Sequence, residues 1–391
     1  MTISEVANKC CGCRACELVC PTQAITIEKD KLAFEIPIIN TNKCVDCSRC
    51  IKVCPVLNKE KVEHTEHLRC GMAYALDSTI KFKGSSGGLF GLFAKKVLEE
   101  NGIVFGAAFD KQHQLYTSSA TTVAELEPLY KSKYLLCNTN KKFFHIKKEL
   151  EAGRKVLYCS SPCQLAALKL YLNKDYENLY LVEFLCHGVG SQTMLDKSIK
   201  YTEKKKNVKI KKIILRYKAK RASSHYYYYC YEKNGRKYEK KDIHLTFPYY
   251  NAYGKRLVCR ESCFDCIFAS PNRIGDITIG DFHTIEKFDK TIDRFAGVSM
   301  FVCNTSKGID MLDNIKNELF LKDMPWKVIV ENNRFSNEES KPKDWSDFLQ
   351  LSMIDYDMAV EKYLNPYKDW RYYYYMCPES IRNLGRKIFK I

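Results

Sequence analysis

The chain lacks any run near the roughly eighteen consecutive apolar residues that a membrane-spanning helix requires. Its opening segment, Met1 to Cys10, holds no apolar stretch of the kind found in secretory signals. Both absences lead us to expect a cytoplasmic protein. Acidic residues are also in short supply: 46 Asp and Glu against 63 Lys and Arg leave a formal charge of +17. That excess predicts an acidic partner or ligand. With 391 residues, 46% of them hydrophobic, the chain is long enough for two or three domains with a sizeable core. What it holds in abundance is cysteine, twenty in all. In a reducing compartment these read as metal ligands or reactive thiols rather than disulfides.

An internal repeat organises the first of them. Cys10, Cys13, Cys16 and Cys20-Pro21 follow the spacing C-x2-C-x2-C-x3-C-P, and Cys44, Cys47, Cys50 and Cys54-Pro55 follow it again. Three cysteines at such short intervals let a tight loop wrap one face of a 4Fe–4S cluster. The fourth, ahead of proline, ligates the other cluster in two-cluster ferredoxins. The expected ligand sets are therefore Cys10, Cys13, Cys16 and Cys54 for one cluster, and Cys44, Cys47, Cys50 and Cys20 for the other. Zinc also accepts C-x2-C pairs, but the doubled three-plus-one pattern is much better explained by clusters. Cys11 is a spare thiol. Between the repeats, residues 24–27 and 32–36 predict two short strands around a turn at 28–31. The module resembles bacterial two-cluster ferredoxins over residues 1–57.

After a polar, charged linker at 58–69 the pattern changes. Strands are expected at 72–76, 103–109, 156–159 and 180–185, with helices at 89–100, 141–151 and 164–172 between them. Such alternation predicts a mainly parallel sheet with helices packed on it. Gly84-Ser85-Ser86-Gly87-Gly88 joins the first of these strands to its helix. Its spacing fits neither the dinucleotide fingerprint nor a P-loop. It reads either as a plain turn or as a cradle where the N–H groups of a helix start receive a phosphate.

Ser161-Pro162-Cys163-Gln164 opens a helix directly after an apolar strand, with Ser161 as N-cap and Pro162 at the first helical position. A thiol at that helix start is expected to have a lowered pKa. Cys186, in Phe184-Leu185-Cys186-His187-Gly188, follows the next strand. One βαβ unit would then bring Cys163 and Cys186 to the carboxyl edge of the sheet, where open α/β sheets bind ligands. Cys263-Phe264-Asp265-Cys266 adds two thiols in a loop before a strand at 276–280. On the residues alone four readings stand. The four thiols hold a third cluster, any single one of these cysteines is structural, Cys163 is a nucleophile with His187 as its base, or Cys259, Cys263 and Cys266 form most of a zinc site.

Residues 70–330 resemble the beta subunits of coenzyme F-420-reducing hydrogenases and dehydrogenases. The carrying motifs are Ser85-Ser86-Gly87-Gly88, Lys133-Tyr134, Ser161-Pro162-Cys163-Gln164, Cys186-His187-Gly188, Cys263-Phe264-Asp265-Cys266 and Gly275-Asp276-Ile277-Thr278-Ile279-Gly280-Asp281-Phe282. Bacterial members commonly carry a fused ferredoxin module. The resemblance implies FAD and a 4Fe–4S cluster in this domain. It assigns that third cluster to Cys163, Cys186, Cys263 and Cys266, and the flavin to the region of Ser85, Ser86, Gly87, Gly88, Lys133 and Tyr134. Cys259 is then an extra thiol. The substrate is not implied: relatives in this broad family reduce other molecules, including a chlorophyll derivative. Many bacterial relatives sit with surface-polysaccharide genes, which suggests a sugar-linked substrate.

The densest basic run comprises Lys204, Lys205, Lys206, Lys209, Lys211, Lys212, Arg216, Lys218, Lys220 and Arg221. Its alternation over 209–218 suggests an exposed strand with cations facing water, or a dock for an acidic ferredoxin or a phosphorylated substrate. No nucleic-acid recognition motif accompanies it, so nucleic acid is not expected. Tyrosines at 226–229 and 372–375 read as ordinary packing, the first run placing two rings on each face of a strand. From Asp344 the chain reads as amphipathic helices ending in Arg382, Arg386, Lys387 and Lys390, which admits a peripheral contact with an anionic membrane.

The expected architecture is an α+β ferredoxin-type module at 1–57, a linker at 58–69, a larger α/β flavin and iron–sulfur domain at 70–330 and a helical basic tail at 331–391. The expected function is an iron–sulfur flavoprotein oxidoreductase. It would pass electrons from a ferredoxin-like donor through 4Fe–4S clusters to FAD and an organic substrate. The alternative is an electron-transfer adaptor that feeds a separate catalytic partner.

Overall fold

The computed structural model describes residues 3–139, 141–218, 226–292, 296–333, 335, 340–377 and 381–382. Lys220, Arg221, Arg386, Lys387 and Lys390 of the expected basic segments lie outside them.

In the N-terminal module, β1 (Ile25–Lys29) and β2 (Glu35–Ile39) form an antiparallel hairpin in which Ile25 faces Ile39. β2 starts three residues later than the sequence predicts. The Asp30 carboxylate accepts the N–H groups of Leu32 and Phe34, both at 2.9 Å, and this Asx-type turn holds the intervening residues out of the strand. One short helix follows the ligand loop of each repeat, Ala15–Val19 and Arg49–Lys52. The core between them is small, with Ile3, Val6 and Ile25 packed around Cys16 and Cys54.

The larger part is built on β3 (Arg69–Ala75), β4 (Ile103–Phe109), β5 (Leu115–Ala120), β6 (Val156–Ser160) and β7 (Leu179–Phe184). A separate antiparallel sheet of β8 (Lys209–Tyr217), β9 (Tyr226–Lys233) and β10 (Arg236–Ile243) follows, and β11 (Ile277–Asp281), β12 (Ser299–Cys303) and β13 (Leu319–Asp323) return to the main sheet. The main sheet runs β13-β3-β12-β11-β7-β6-β4-β5. Its centre, β4-β6-β7-β11, is parallel. The flanking strands on both sides are antiparallel. The α/β class expected from the sequence is therefore present, with a parallel block at the middle of a mixed sheet. Val156, Leu157 and Tyr158 of β6 are all buried, as a strand covered on both faces requires.

Helix Leu89–Glu99 covers one face with Leu89, Leu92, Phe93 and Val97. Helices Lys142–Glu151 and Pro162–Leu172 cover the other. Helix Pro162–Leu172 buries residues around its circumference, including Leu165, Ala166, Ala167 and Leu168. The cause is a second partner, because Cys13 and Ala15 of the ferredoxin module share its core. In β9, Tyr227 and Tyr229 point inward and stack at 5.3 Å. Trp345, Phe348, Leu349 and Val360 from the C-terminal helices join the same core.

At the carboxyl end of β7 a buried ion pair fixes the loop that precedes β11. Glu183 is 0% and Arg273 1% exposed, and the guanidinium donates to the carboxylate. Glu183 also accepts the N–H groups of Ile274 at 2.7 Å and Gly275 at 2.8 Å. Arg273 in turn exchanges backbone hydrogen bonds with His64 of the linker segment, at 2.6 and 3.0 Å.

Candidate functional site

The two ligand loops of the N-terminal module share one backbone signature. Gly12 (φ +71°) and Arg14 (φ +62°) bracket Cys13, and Asp46 (φ +49°) and Ser48 (φ +58°) bracket Cys47 at the same places in the second loop. A left-handed conformation costs a non-glycine residue roughly 1 kcal/mol or more. Alternating it with right-handed residues turns successive N–H groups into a concavity that suits an anion, a device used at iron–sulfur sites. Cys10, Cys13, Cys16 and Cys54 line one common gap, walled further by Ile3 and Val6. The fourth thiol thus crosses from the other repeat. Burial, followed by the charges of Cys10 and Cys54, pushes Cys16 up to about 12. A thiol so placed ionises readily only when a metal takes the proton's position. Backbone N–H groups already point at sulfur, from Gly12 to Cys10 at 3.3 Å and from Ala24 to Cys20 at 3.2 Å. Cys20 and Cys50 pack beside Cys16 and Cys54, and Cys47 is exposed.

A second thiol group forms at the carboxyl edge of the parallel block. Cys163 stands at the start of its helix, Cys186 follows β7, and Cys263 and Cys266 come from the loop before β11. The four act on one another electrostatically. Burial raises Cys186 and Cys263 first, and neighbouring thiols raise them further. The lowered pKa expected for Cys163 is overturned. Its thiol lies against that of Cys11, and this contact together with burial raises it well above the ordinary value. The helix start therefore does not lower this thiol's pKa. Cys259 is a fifth thiol nearby, 1% exposed and close to Cys186. Gly188, beside Cys259 and Cys263, takes φ +112°, a backbone conformation in which a side chain would be strained. Among the described residues no three His, Cys, Asp or Glu side chains are placed so as to hold a single metal ion.

Cys11, the spare thiol of the sequence, bridges the two groups by touching both Cys13 and Cys163. Nothing in its spacing announced this, because the contact forms only when the module docks on helix Pro162–Leu172.

The serine–glycine turn lies elsewhere on the sheet edge, and Lys133-Tyr134 is brought to it. Ser85 Oγ accepts from the N–H of Ser132 at 2.8 Å, and Ser86 Oγ donates to the Val298 carbonyl at 2.7 Å. Gly87 is required by packing, since a Cβ would stand 2.6 Å from the Ala73 carbonyl. Gly88 (φ +93°) caps helix Leu89–Glu99. Lys133 is half-buried, and desolvation lowers its ammonium to about 7; it donates to the Tyr130 carbonyl at 2.5 Å. Tyr134 stacks on Tyr253 at 4.5 Å, and Tyr253 donates to the Gly188 carbonyl at 3.1 Å. The tyrosines thus connect this turn to the second thiol group.

Three further cations surround the turn. Lys131 donates to the carbonyls of Phe82 and Gly84, and burial lowers it to about 8. Lys218, 3% exposed, donates to Lys81 at 2.7 Å and to Ser86. Burial, then the charges of Lys131 and Arg216, lower it to about 7. Arg216 pairs with Asp281 at 2.7 Å. Burial alone would raise Asp281, but Arg216 and His283 outweigh it and hold the carboxyl at about 2. For these two positions the solvated-face reading of the basic run is wrong. The end of β8 tucks under the serine–glycine turn, and alternation in the sequence does not reveal what covers a strand's end.

Residues 9–58 match the family model of the 4Fe–4S dicluster domain. Residues 153–325 match that of the C terminus of the coenzyme F420 hydrogenase/dehydrogenase beta subunit. The chain fuses an iron–sulfur dicluster domain to a domain of the F420 hydrogenase/dehydrogenase beta-subunit family. All four thiols of the second group lie inside the beta-subunit match, whereas the serine–glycine turn and Lys133-Tyr134 lie before it. One solved structure, the xenon-derivatised F420-reducing [NiFe] hydrogenase complex from Methanosarcina barkeri, contains a chain 18% identical to this one, with a TM-score of 0.45. The alignment covers 76% of this chain and 92% of that one. No curated protein matches. Together the dicluster domain and the beta-subunit domain make redox electron transfer the activity of this chain. Among the described residues no helix is long and apolar enough to cross a membrane.

Proposed function

We propose that the chain is an iron–sulfur flavoprotein oxidoreductase that carries electrons from a ferredoxin-like donor, through clusters held by its thiols, to FAD and an organic substrate. One observation carries this reading: Cys163, Cys186, Cys263 and Cys266 converge from three separate segments, and Cys163 meets Cys11 of the N-terminal ligand loop. In this reading Cys10, Cys13, Cys16 and Cys54 hold one cluster and Cys44, Cys47, Cys50 and Cys20 a second. Cys163, Cys186, Cys263 and Cys266 hold a third. Lys131, Arg216 and Lys218 supply cations for the diphosphate of the flavin beside Ser85, Ser86, Gly87 and Gly88, and Lys133 and Tyr134 line its region. Flavin supplies the conversion between single electrons and a hydride. The formal charge of +17 suits a redox protein with an acidic face. A sugar-linked small molecule of surface-polysaccharide synthesis is the proposed substrate class.

Anaerobic protein reconstituted with iron, sulfide and FAD is expected to hold about twelve iron atoms, four per cluster, and one flavin. Failure to retain flavin removes the proposed chemistry. Turnover by the chain alone with reduced ferredoxin separates an enzyme from an adaptor that needs a catalytic partner. Cys47→Ala should abolish one cluster EPR signal and weaken the other, because so small a core folds around its metal.

The lysines make flavin binding depend on pH. Lys218 stands at about 7 before binding, and a diphosphate beside it restores its charge, so binding takes up a proton above that pH. Affinity should be greatest below about pH 7 and fall as pH rises, by up to about tenfold per unit for each proton taken up. Flavin fluorescence titrations at pH 7, 8 and 9 measure this slope. Lys218→Met should flatten it, and an unchanged slope would place the diphosphate elsewhere.

A further inference from the structure

We propose that Arg260, a residue of the beta-subunit domain, sets the reduction potential of the cluster held by Cys10, Cys13, Cys16 and Cys54; the proposal rests on the ligand reading above. Arg260 is 4% exposed. Its Nε donates to the Cys10 carbonyl at 2.5 Å and its Nη2 to the Glu35 carbonyl at 2.5 Å. Ser262 Oγ donates to the same Cys10 carbonyl at 2.9 Å. Both acceptors of Arg260 are neutral. The Glu35 carboxylate is engaged instead by Arg14, at 2.7 Å. The third nitrogen, Nη1, has no partner among the described residues and lies against Gly12 between the ligands, where an added Cβ would come within 3.3 Å of it. Phe34 flanks the guanidinium at 5.8 Å.

The arrangement is a buried, permanently charged guanidinium clasped to a cysteine-ligand loop, with no carboxylate paired to it among the described residues. A guanidinium does not deprotonate in proteins, so its charge is fixed at every accessible pH. Reduction of the bound cluster adds one electron and makes or breaks no bond. The added negative charge is stabilised by a nearby cation, more strongly in a buried setting than in water. Arg260 therefore makes this cluster easier to reduce. Cys263 and Cys266 lie on the same segment, so the loop that supplies half of the second thiol group also conditions the cluster facing it.

The test is an anaerobic EPR-monitored redox titration of the full chain. Arg260→Gln should lower one cluster midpoint by about 59 mV, which is a tenfold loss in the reduced-to-oxidised ratio for a one-electron couple. Arg260→Lys should keep most of the wild-type value. Asn138→Asp leaves the arginine intact and adds a carboxylate to the cavity of about 370 Å3 that Asn138 and Arg260 both line; it should shift the same midpoint downward. Ser262→Ala removes an uncharged hydrogen bond to the same carbonyl and should leave the midpoint in place. An unchanged midpoint in Arg260→Gln with full iron content overturns the proposal. So does a Ser262→Ala shift as large as that of Arg260→Gln. Should Arg260→Gln lose its cluster, an unchanged midpoint in Asn138→Asp overturns it instead. Absence of any N-terminal cluster signal in the wild type would sink the ligand reading, a separate result.

Discussion

Replacing Cys163 with serine is expected to remove about four of about twelve iron atoms while leaving the N-terminal cluster signals in place. Cys163 opens helix Pro162–Leu172, which remains packed through Leu165, Ala166 and Leu168, so the fold should survive the change. The hydroxyl is a poorer ligand than the thiolate, and the remaining thiols, Cys186, Cys263 and Cys266, are each pushed away from ionisation by burial. Iron and acid-labile sulfide analysis, with EPR of the reduced protein, reads the loss. Full iron content and an unchanged spectrum would remove Cys163 from the ligand set and turn attention to Cys259. Its thiol is buried close to Cys186, and Cys259→Ser should then produce the loss instead.

The second large effect belongs to the buried pair beneath that site. Glu183→Ala leaves Arg273 charged and 1% exposed, and strips acceptors from the Ile274 and Gly275 N–H groups. Breaking one side of a buried ion pair costs about 3–5 kcal/mol, and urea unfolding of the apo-protein followed by fluorescence should show a loss of that size. The loop carrying Cys263 and Cys266 runs directly into Arg273, so iron retention in the beta-subunit domain should fall with stability. Removing both charges together, as Glu183→Leu with Arg273→Met, should recover most of the stability, because no buried charge is then left unpaired. A loss under about 1 kcal/mol for Glu183→Ala, well below that cost, would show that the loop is held by other contacts.

Different parts of this molecule were legible in the sequence to different degrees. The doubled cysteine spacing showed directly, because a ligand loop is local: its residues are neighbours in the chain, and only their side-chain type and interval matter. Its left-handed backbone was visible at Gly12 alone. Asp46 is of a type that tolerates this region, but Arg14 and Ser48 adopt it without any residue preference that would reveal it. The alternation of strands and helices disclosed the parallel block but not the antiparallel edges, since a β-strand's period is the same in either direction. Lys218 and Arg216 looked like part of an exposed basic face, and their burial follows from the serine–glycine turn more than a hundred residues away.

What the sequence determined by itself is the chemistry available: eight thiols in two repeated loops, four more in short motifs, and a glycine turn ahead of a helix. Those features rest on covalent spacing and side-chain identity, which no tertiary contact can alter. Only the folded chain decided which of them meet. Docking of the ferredoxin module on helix Pro162–Leu172 placed Cys11 between two thiol groups and closed Arg260 over the Cys10 loop. The physical reason is burial. A guanidinium or a thiol departs from its behaviour in water because of the low-dielectric surroundings and fixed partners that distant segments supply.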